Sequence, residues 1–298
     1  MGFLHELFKP CGDLSEVFWG NGAVSLNRAK TGDFAIELPF CEPFTELEAE
    51  EPETVELPML AFWNRKPLPE YESNKDYAEI LHGAHTLIAG RTGCGKSVML
   101  NGLLRELMGT RLPNDCGLVL IDPKRVELAP YRNTPYCLGY ASDNKTALNL
   151  LSAVVDLIEE RYEEMQKQGV RTWQGGKVYV VIDELADLLI DIEYGARIKR
   201  ALQKILQIAR ASGVSVLACT QCPSRSVIPA PITLNFTERI ALKCNSAIES
   251  RQIINSKGAE ELPKHGTGLY LGADGLRKMA IPFLPEAEQE KIINYWKK

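Results

Sequence analysis

The chain has 298 residues, 45% of them apolar and 24% charged, and carries a net charge of −5. That is enough for one sizeable core and a smaller appendage, with the composition of a globular protein. The acidity excludes a surface coated throughout with nucleic-acid-binding charge. No run approaches the 18 apolar residues of a membrane span. The start, "MGFLHELFKPCGDL", lacks the basic and apolar regions of a secretory signal, and Glu6 stands where myristoylation needs Ser or Thr. A cytoplasmic protein is expected.

Residues 1–75 hold short alternating runs such as "FAIEL" and "VELPML", separated by Pro and Glu. They are expected to form a small β-leaning appendage. Residues 42–56 hold seven Glu and no Lys or Arg, which leaves the rest of the chain slightly positive. Such a run reads as a solvated segment rather than a binding site.

From residue 76 to 298 the pattern is that of one larger domain. "AHTLIAG" reads as a buried strand followed by a glycine loop and a helix from about Ser97 to Met108. "GLVLID" is the next strand. Residues 144–168 form a long helix, with Leu148, Leu151, Val155, Ile158, Tyr162 and Met165 at helical spacing. "KVYVVID" is a strand, residues 196–211 a helix, and "VSVLACT" the strand it feeds. "RIALKC" and "TGLYLG" follow as strands, and "LRKMAIPF" pairs back across Asp274-Gly275. The last segment, "PEAEQEKIINYWKK", is a closing helix. Alternating strands and helices predict an α/β fold with a mostly parallel sheet covered on both faces.

Gly90 to Ser97, "GRTGCGKS", fits G-x-x-x-x-G-K-[ST] at every fixed position. With a strand before it and a helix after, it is a phosphate-binding loop. Gly90, Arg91, Thr92, Gly93, Cys94, Gly95, Lys96, Ser97 and Val98 are therefore expected to wrap a nucleotide's polyphosphate. Lys96 would bridge the outer phosphates and the Ser97 hydroxyl would ligate Mg²⁺. "VYVVIDE" delivers Asp183 to the same sheet edge, where it can hold a magnesium-bound water. The adjacent Glu184 can polarise an attacking water, which favours hydrolysis over transfer to a substrate hydroxyl. Gln221, at the end of "VSVLACT", is placed to sense the terminal phosphate or orient water. Cys219 and Cys222 form a C-x-x-C, but no second pair lies at ligand spacing, and no structural metal is expected.

Together "HTLIAGRTGCGKS", "IDPKRVEL", "DLIEERYEEM", "VVIDELADLL", "ARASGVSVLACTQCPS" and "SRQIINSKGAEEL" with "GTGLYL" resemble the FtsK/SpoIIIE branch of the FtsK–HerA motor ATPases. The resemblance runs from about His85 to Tyr270. It implies a RecA-like P-loop fold and a homohexameric ring. It also implies ATP-driven movement of double-stranded DNA through a central channel. ATP would sit between subunits, completed by a neighbour's arginine. Arg210 falls at the family's position for that finger. On the two loops where the family grips DNA, Cys222, Thr233 and Ala247 replace basic residues, while Arg251 is kept and Arg225 and Lys243 lie nearby.

No membrane anchor and no orientation-reading module are seen, so a short motor of a mobile element is expected. Two alternatives stay open: a protein-export ATPase of the same fold, and a slow, nucleotide-switched interaction module.

Overall fold

A computed structural model describes residues 71–297. The expected appendage therefore lies outside the described residues, apart from its last five. These run into α1 (Lys75–His82), capped by the Asn74 side chain, which accepts the Tyr77 N–H. Eight strands follow: β1 (His85–Ala89), β2 (Cys116–Ile121), β3 (Cys137–Ala141), β4 (Lys177–Ile182), β5 (Val214–Thr220), β6 (Glu238–Ala241), β7 (Thr267–Gly272) and β8 (Gly275–Ala280). They form one sheet in the order β3-β2-β4-β5-β1-β6-β7-β8. Pairing is parallel from β3 to β6 and antiparallel for β6-β7-β8. The hairpin joining β7 and β8 pairs Gly272 with Gly275, where the sequence placed its turn.

The helices are α2 (Lys96–Thr110), α3 (Asn144–Gln168), α4 (Leu185–Leu189), α5 (Gly195–Ile208), α6 (Ala230–Asn235), α7 (Ala247–Ile254) and α8 (Glu286–Lys297). The strands' period of two sorts their side chains between two cores. Leu118, Leu120, Tyr179, Val181, Leu217 and Cys219 pack with α1, α2 and α8. Val119, Ile121, Val178, Val180, Val214 and Val216 pack with α3, α4, α5 and α6. The central strands are thus apolar at nearly every position because both faces are covered.

Helix ends follow their caps. Asp143 accepts the Thr146 N–H at the start of α3, and Gly169, in the left-handed region, closes its end. α8 docks on α2 through Trp296, whose indole N–H donates to the Met108 carbonyl at 3.1 Å. Trp296 also meets Tyr136 edge-on. Arg105 and Glu288 add an ion pair at 2.7 Å.

Strand β3 and helices α1, α4, α6 and α7 were not read from sequence. Among the described residues, no helix is long and apolar enough to cross a membrane.

Candidate functional site

The site lies where the parallel strands end at their carboxyl edge. β1 is flanked by β5 and β6, so the loop leaving it is tied on both sides. Gly90 N–H donates to the Thr220 carbonyl and Arg91 N–H to the Lys243 carbonyl, at 3.3 and 3.0 Å. The loop then turns into α2 through Gly95, whose φ of 98° is a conformation that only glycine adopts freely. Gly90 is fixed for a different reason: a Cβ there would come within 2.8 Å of both Cys94 Sγ and Leu242 Cβ. Cys94 is buried under the loop, with burial raising its thiol pKa. Thr92 and Gly93 in the turn are exposed, and the N-terminus of α2, a favourable place for an anion, follows directly at Lys96.

β5 separates β1 from β4, and this places Gln221 between the glycine loop and the β4 carboxylates. The Thr92 hydroxyl donates to the Gln221 side-chain carbonyl at 2.6 Å. The Gln221 backbone N–H donates to both oxygens of Glu184, at 3.0 and 3.3 Å. Glu184 is only 2% exposed and also faces Lys96 Nζ at 3.9 Å and Lys124 Nζ at 3.6 Å. Lys124 reaches Asp187 at 3.5 Å. Burial pulls the Lys124 ammonium down, but Glu184, Asp187 and Asp183 more than offset it, so its pKa is raised.

Asp183 is held by its N–H on the Ile121 carbonyl. Burial, with Asp122 and Glu127 nearby, pushes its carboxyl up to about 6. The Ser97 hydroxyl donates to Glu127 Oε1 at 2.6 Å. Asp122 is fully buried; its Oδ2 accepts the Leu128 and Ala129 N–H groups, and its Oδ1 has no partner in the protein. Of these acids only Glu127 touches Ser97, while Asp122 and Glu127 are near enough to Asp183 to raise its pKa. Among the described residues no three acidic side chains are grouped closely enough to hold a metal ion by themselves. A hard divalent cation at the Ser97 hydroxyl and Asp183 would take its remaining oxygens from phosphate and water, as Mg²⁺ does in nucleotide sites.

Lys96, Ser97, Asp183, Glu184 and Gln221 are thus brought together, with Thr92 beside them. Sequence reasoning assigned no role to Glu127 or Lys124, although both lie in the "DPKRVEL" stretch that it noted. Their signal is Asp122 at a strand end: it gathers the following turn by its N–H groups and delivers Glu127 to Ser97. Arg125, in the same turn, holds a φ of 60°, a strained value for a residue with a side chain.

Arg210 is elsewhere. It is exposed in the turn between α5 and β5, at the amino edge of the sheet, close enough to His85 to help lower that residue's pKa. β5 lies between it and Gln221, and seven strand residues span roughly 20 Å. Arg225 is exposed in the loop after β5, and Arg251 is exposed on α7. Lys243 is half-buried and donates to the Glu260 carbonyl at 2.7 Å. Cys219 is buried in β5 and Cys222 is exposed beyond it; both are free thiols.

Residues 63–178 match the model of the FtsK/SpoIIIE family. The chain is 33% identical over 264 residues to the DNA translocase FtsK of Rhizobium meliloti (strain 1021), covering 74% of this chain and 30% of that protein. It is 35% identical over 233 residues to the DNA translocase FtsK of Listeria monocytogenes serovar 1/2a, with 71% and 30% covered. The chain therefore spans about three-tenths of the length of these relatives.

Among solved structures, the pCW3 conjugation coupling protein TcpA, a monomer form with ATPgS, superposes with a TM-score of 0.64 at 23% identity, over 72% of this chain and 66% of that one. The cytoplasmic domain of the Thermomonospora curvata Type VII Secretion ATPase EccC gives 0.61 at 21%, over 72% and 28%. Both likenesses are of fold.

Proposed function

Since the chain carries an FtsK/SpoIIIE family domain, we propose that this ATPase works as a ring of identical copies, splitting ATP at the seams between them to move double-stranded DNA. One observation carries the proposal. The hydrolytic groups gather at the carboxyl edge of the sheet, while Arg210 stands at the amino edge, beyond reach of its own chain's glycine loop.

In this reading the backbone of Gly90–Gly95 and the Lys96 ammonium hold the phosphates. Glu184 takes the proton from an attacking water; its carboxylate is already aimed by the Gln221 N–H. The Gln221 side chain, held by Thr92, senses the terminal phosphate. Ser97 and Asp183, with Glu127 beside them, would hold Mg²⁺, which when bound offsets phosphate charge as the bond breaks. Arg210 of a neighbouring copy completes the site; such a trans guanidinium is worth about 10³- to 10⁵-fold in rate. The same reading places the motor in the cytoplasm, with residues 1–75 as an appendage whose last five residues join the motor domain, where Tyr71, Ser73 and Asn74 all bond to Glu106. It extends to DNA transfer by a mobile element, the setting that the name of the conjugation coupling protein TcpA suggests for a protein of this fold.

DNA grip would fall to Arg225, Arg251 and Lys243. Few cations per copy means few neutralised phosphates, each contributing about 0.9 to the slope of log affinity against log salt. The test is ATP turnover with linear double-stranded DNA across a salt series. Strong stimulation at low salt, lost with Lys96→Ala, is expected. Unchanged turnover at low salt in an assembled ring would overturn the DNA assignment.

A second reading, export of a polypeptide, is favoured by one observation. Leu234 and Ile248, each 66% exposed, directly follow the neutral positions Thr233 and Ala247. An apolar lining suits peptide better than phosphate. Stimulation by peptide and not by DNA would select it.

A further inference from the structure

The turn that carries Arg210 is fastened far more thoroughly than an exposed loop needs. Tyr162, on α3, donates its hydroxyl to the Ile208 carbonyl at 2.5 Å. The Trp173 backbone N–H donates to the Ala211 carbonyl at 2.8 Å. Arg161, also on α3 and 1% exposed, donates from Nη1 to the Ser212 carbonyl at 2.7 Å and from Nη2 to the Gly176 carbonyl at 3.0 Å. Its guanidinium lies over the Trp173 ring at 4.7 Å, and the Trp173 indole N–H shares the Gly176 carbonyl at 3.2 Å. Val178 N–H takes the Gly213 carbonyl, and the Ser212 hydroxyl takes that of Ala209. Gly213 has a φ of 72°, and a Cβ there would meet Trp173 at 3.0 Å and Arg161 at 3.3 Å. Amid these bonds the Arg210 side chain alone is left exposed.

Burying a guanidinium is costly, and burial draws the Arg161 pKa down to about 9. A planar fork that bonds two carbonyls at once sets the direction of a turn in a way a flexible ammonium cannot.

We propose that Arg161 and Trp173 are positioning residues for Arg210: they fix the 209–213 turn so that the Arg210 guanidinium is presented, already oriented, to the nucleotide of a neighbouring copy. Their effect on turnover presupposes that Arg210 acts in trans, as read above. A shift of about 1 Å in a group at the reacting centre can cost about 10²-fold, so loosening the turn would lower the rate while leaving nucleotide binding in place.

The experiment is a double-mutant cycle on the full chain. Turnover and KM for ATP are measured, with linear double-stranded DNA present, for Arg161→Lys, Arg210→Ala and the double variant, and Trp173→Ala is run in parallel as a second probe of the clamp. Arg161→Lys is expected to lower kcat about 10- to 100-fold with KM within about twofold, and to lower it no further once Arg210 is alanine. Trp173→Ala is expected to follow the same non-additive pattern. Unchanged kcat in folded, assembled Arg161→Lys and Trp173→Ala proteins would overturn the proposal. So would an equal fractional loss with and without Arg210, which marks a merely structural role. If Arg210→Ala alone leaves kcat unchanged, the trans assignment itself fails, and the positioning role falls with it.

Discussion

The backbone N–H of Gln221 donates to both carboxylate oxygens of Glu184, at 3.0 and 3.3 Å. A group at the end of β5 thus fixes a group at the end of β4, and the Thr92 hydroxyl in the glycine loop holds the Gln221 side chain in turn. A displacement of the glycine loop would therefore reach Glu184 through Gln221.

Glu184→Gln keeps an acceptor for the Gln221 N–H but cannot take a proton. Single-turnover hydrolysis should fall about 10²- to 10⁴-fold. Binding of a fluorescent ATP analogue should persist. Lys96→Ala should lose binding as well. If Glu184→Gln hydrolyses at near the wild-type rate, the chain is a slow switch that uses another base.

Glu127→Gln weakens the acceptor that holds the Ser97 hydroxyl at 2.6 Å. Partners that orient a ligand cost about 10- to 100-fold in metal affinity when altered. A Mg²⁺ titration of turnover should show half-saturation raised by that order, with saturating kcat much less affected. An unshifted titration would remove Glu127 from the site.

Thr92→Val deletes the exposed hydroxyl bond to Gln221. The cost in stability should stay within about 1 kcal/mol, as for an ordinary hydrogen bond. kcat should nevertheless fall, and Gln221→Ala should lower it no further in the Thr92→Val background. Full additivity of the two losses would show that the residues act separately.

His85 opens β1 with Nδ1 accepting the Val216 N–H at 3.1 Å and Nε2 without a partner in the protein. Burial, helped by Arg210, pulls its pKa from 6.5 down to about 4. The folded state therefore binds this proton less readily than the unfolded one. The resulting stability is present above about pH 6.5 and is lost as pH falls towards 4, on the order of 3 kcal/mol in all. His85→Asn keeps an acceptor and cannot titrate, so the urea midpoint of the variant should depend less on pH between 6.5 and 4 than that of wild type. Parallel curves would contradict the shift.

Much of this was legible in the sequence because glycines, strand-end acids and apolar runs carry local signals. The glycine loop, Asp183, Glu184 and Gln221 lie at the ends of strands whose patterns are plain, and the structure brings them to one edge. β3 was missed because "CLGYA" is short, interrupted by Gly139 and half-exposed at the sheet's edge. Helix α3 has the expected span, but Arg161 is buried on a face where the spacing put only apolar residues, while Val155 and Tyr162 are only half-buried. A buried cation serving carbonyls far along the chain leaves no periodic trace. Glu127 likewise depends on a turn gathered by Asp122, a tertiary fact rather than a pattern. Order β4-β5-β1, which puts Gln221 between Glu184 and the glycine loop, cannot be read from a strand list at all.

The most direct test of a seam-sharing site mixes two inactive chains. Glu184→Gln copies keep Arg210, and Arg210→Ala copies keep Glu184. A head-to-tail seam takes its halves from different copies, so roughly a quarter of the seams in a random equal mixture would be intact. ATP turnover should therefore return on mixing to well above either variant alone. Co-assembled rings that stay silent, or an Arg210→Ala chain as active as wild type by itself, would contradict it.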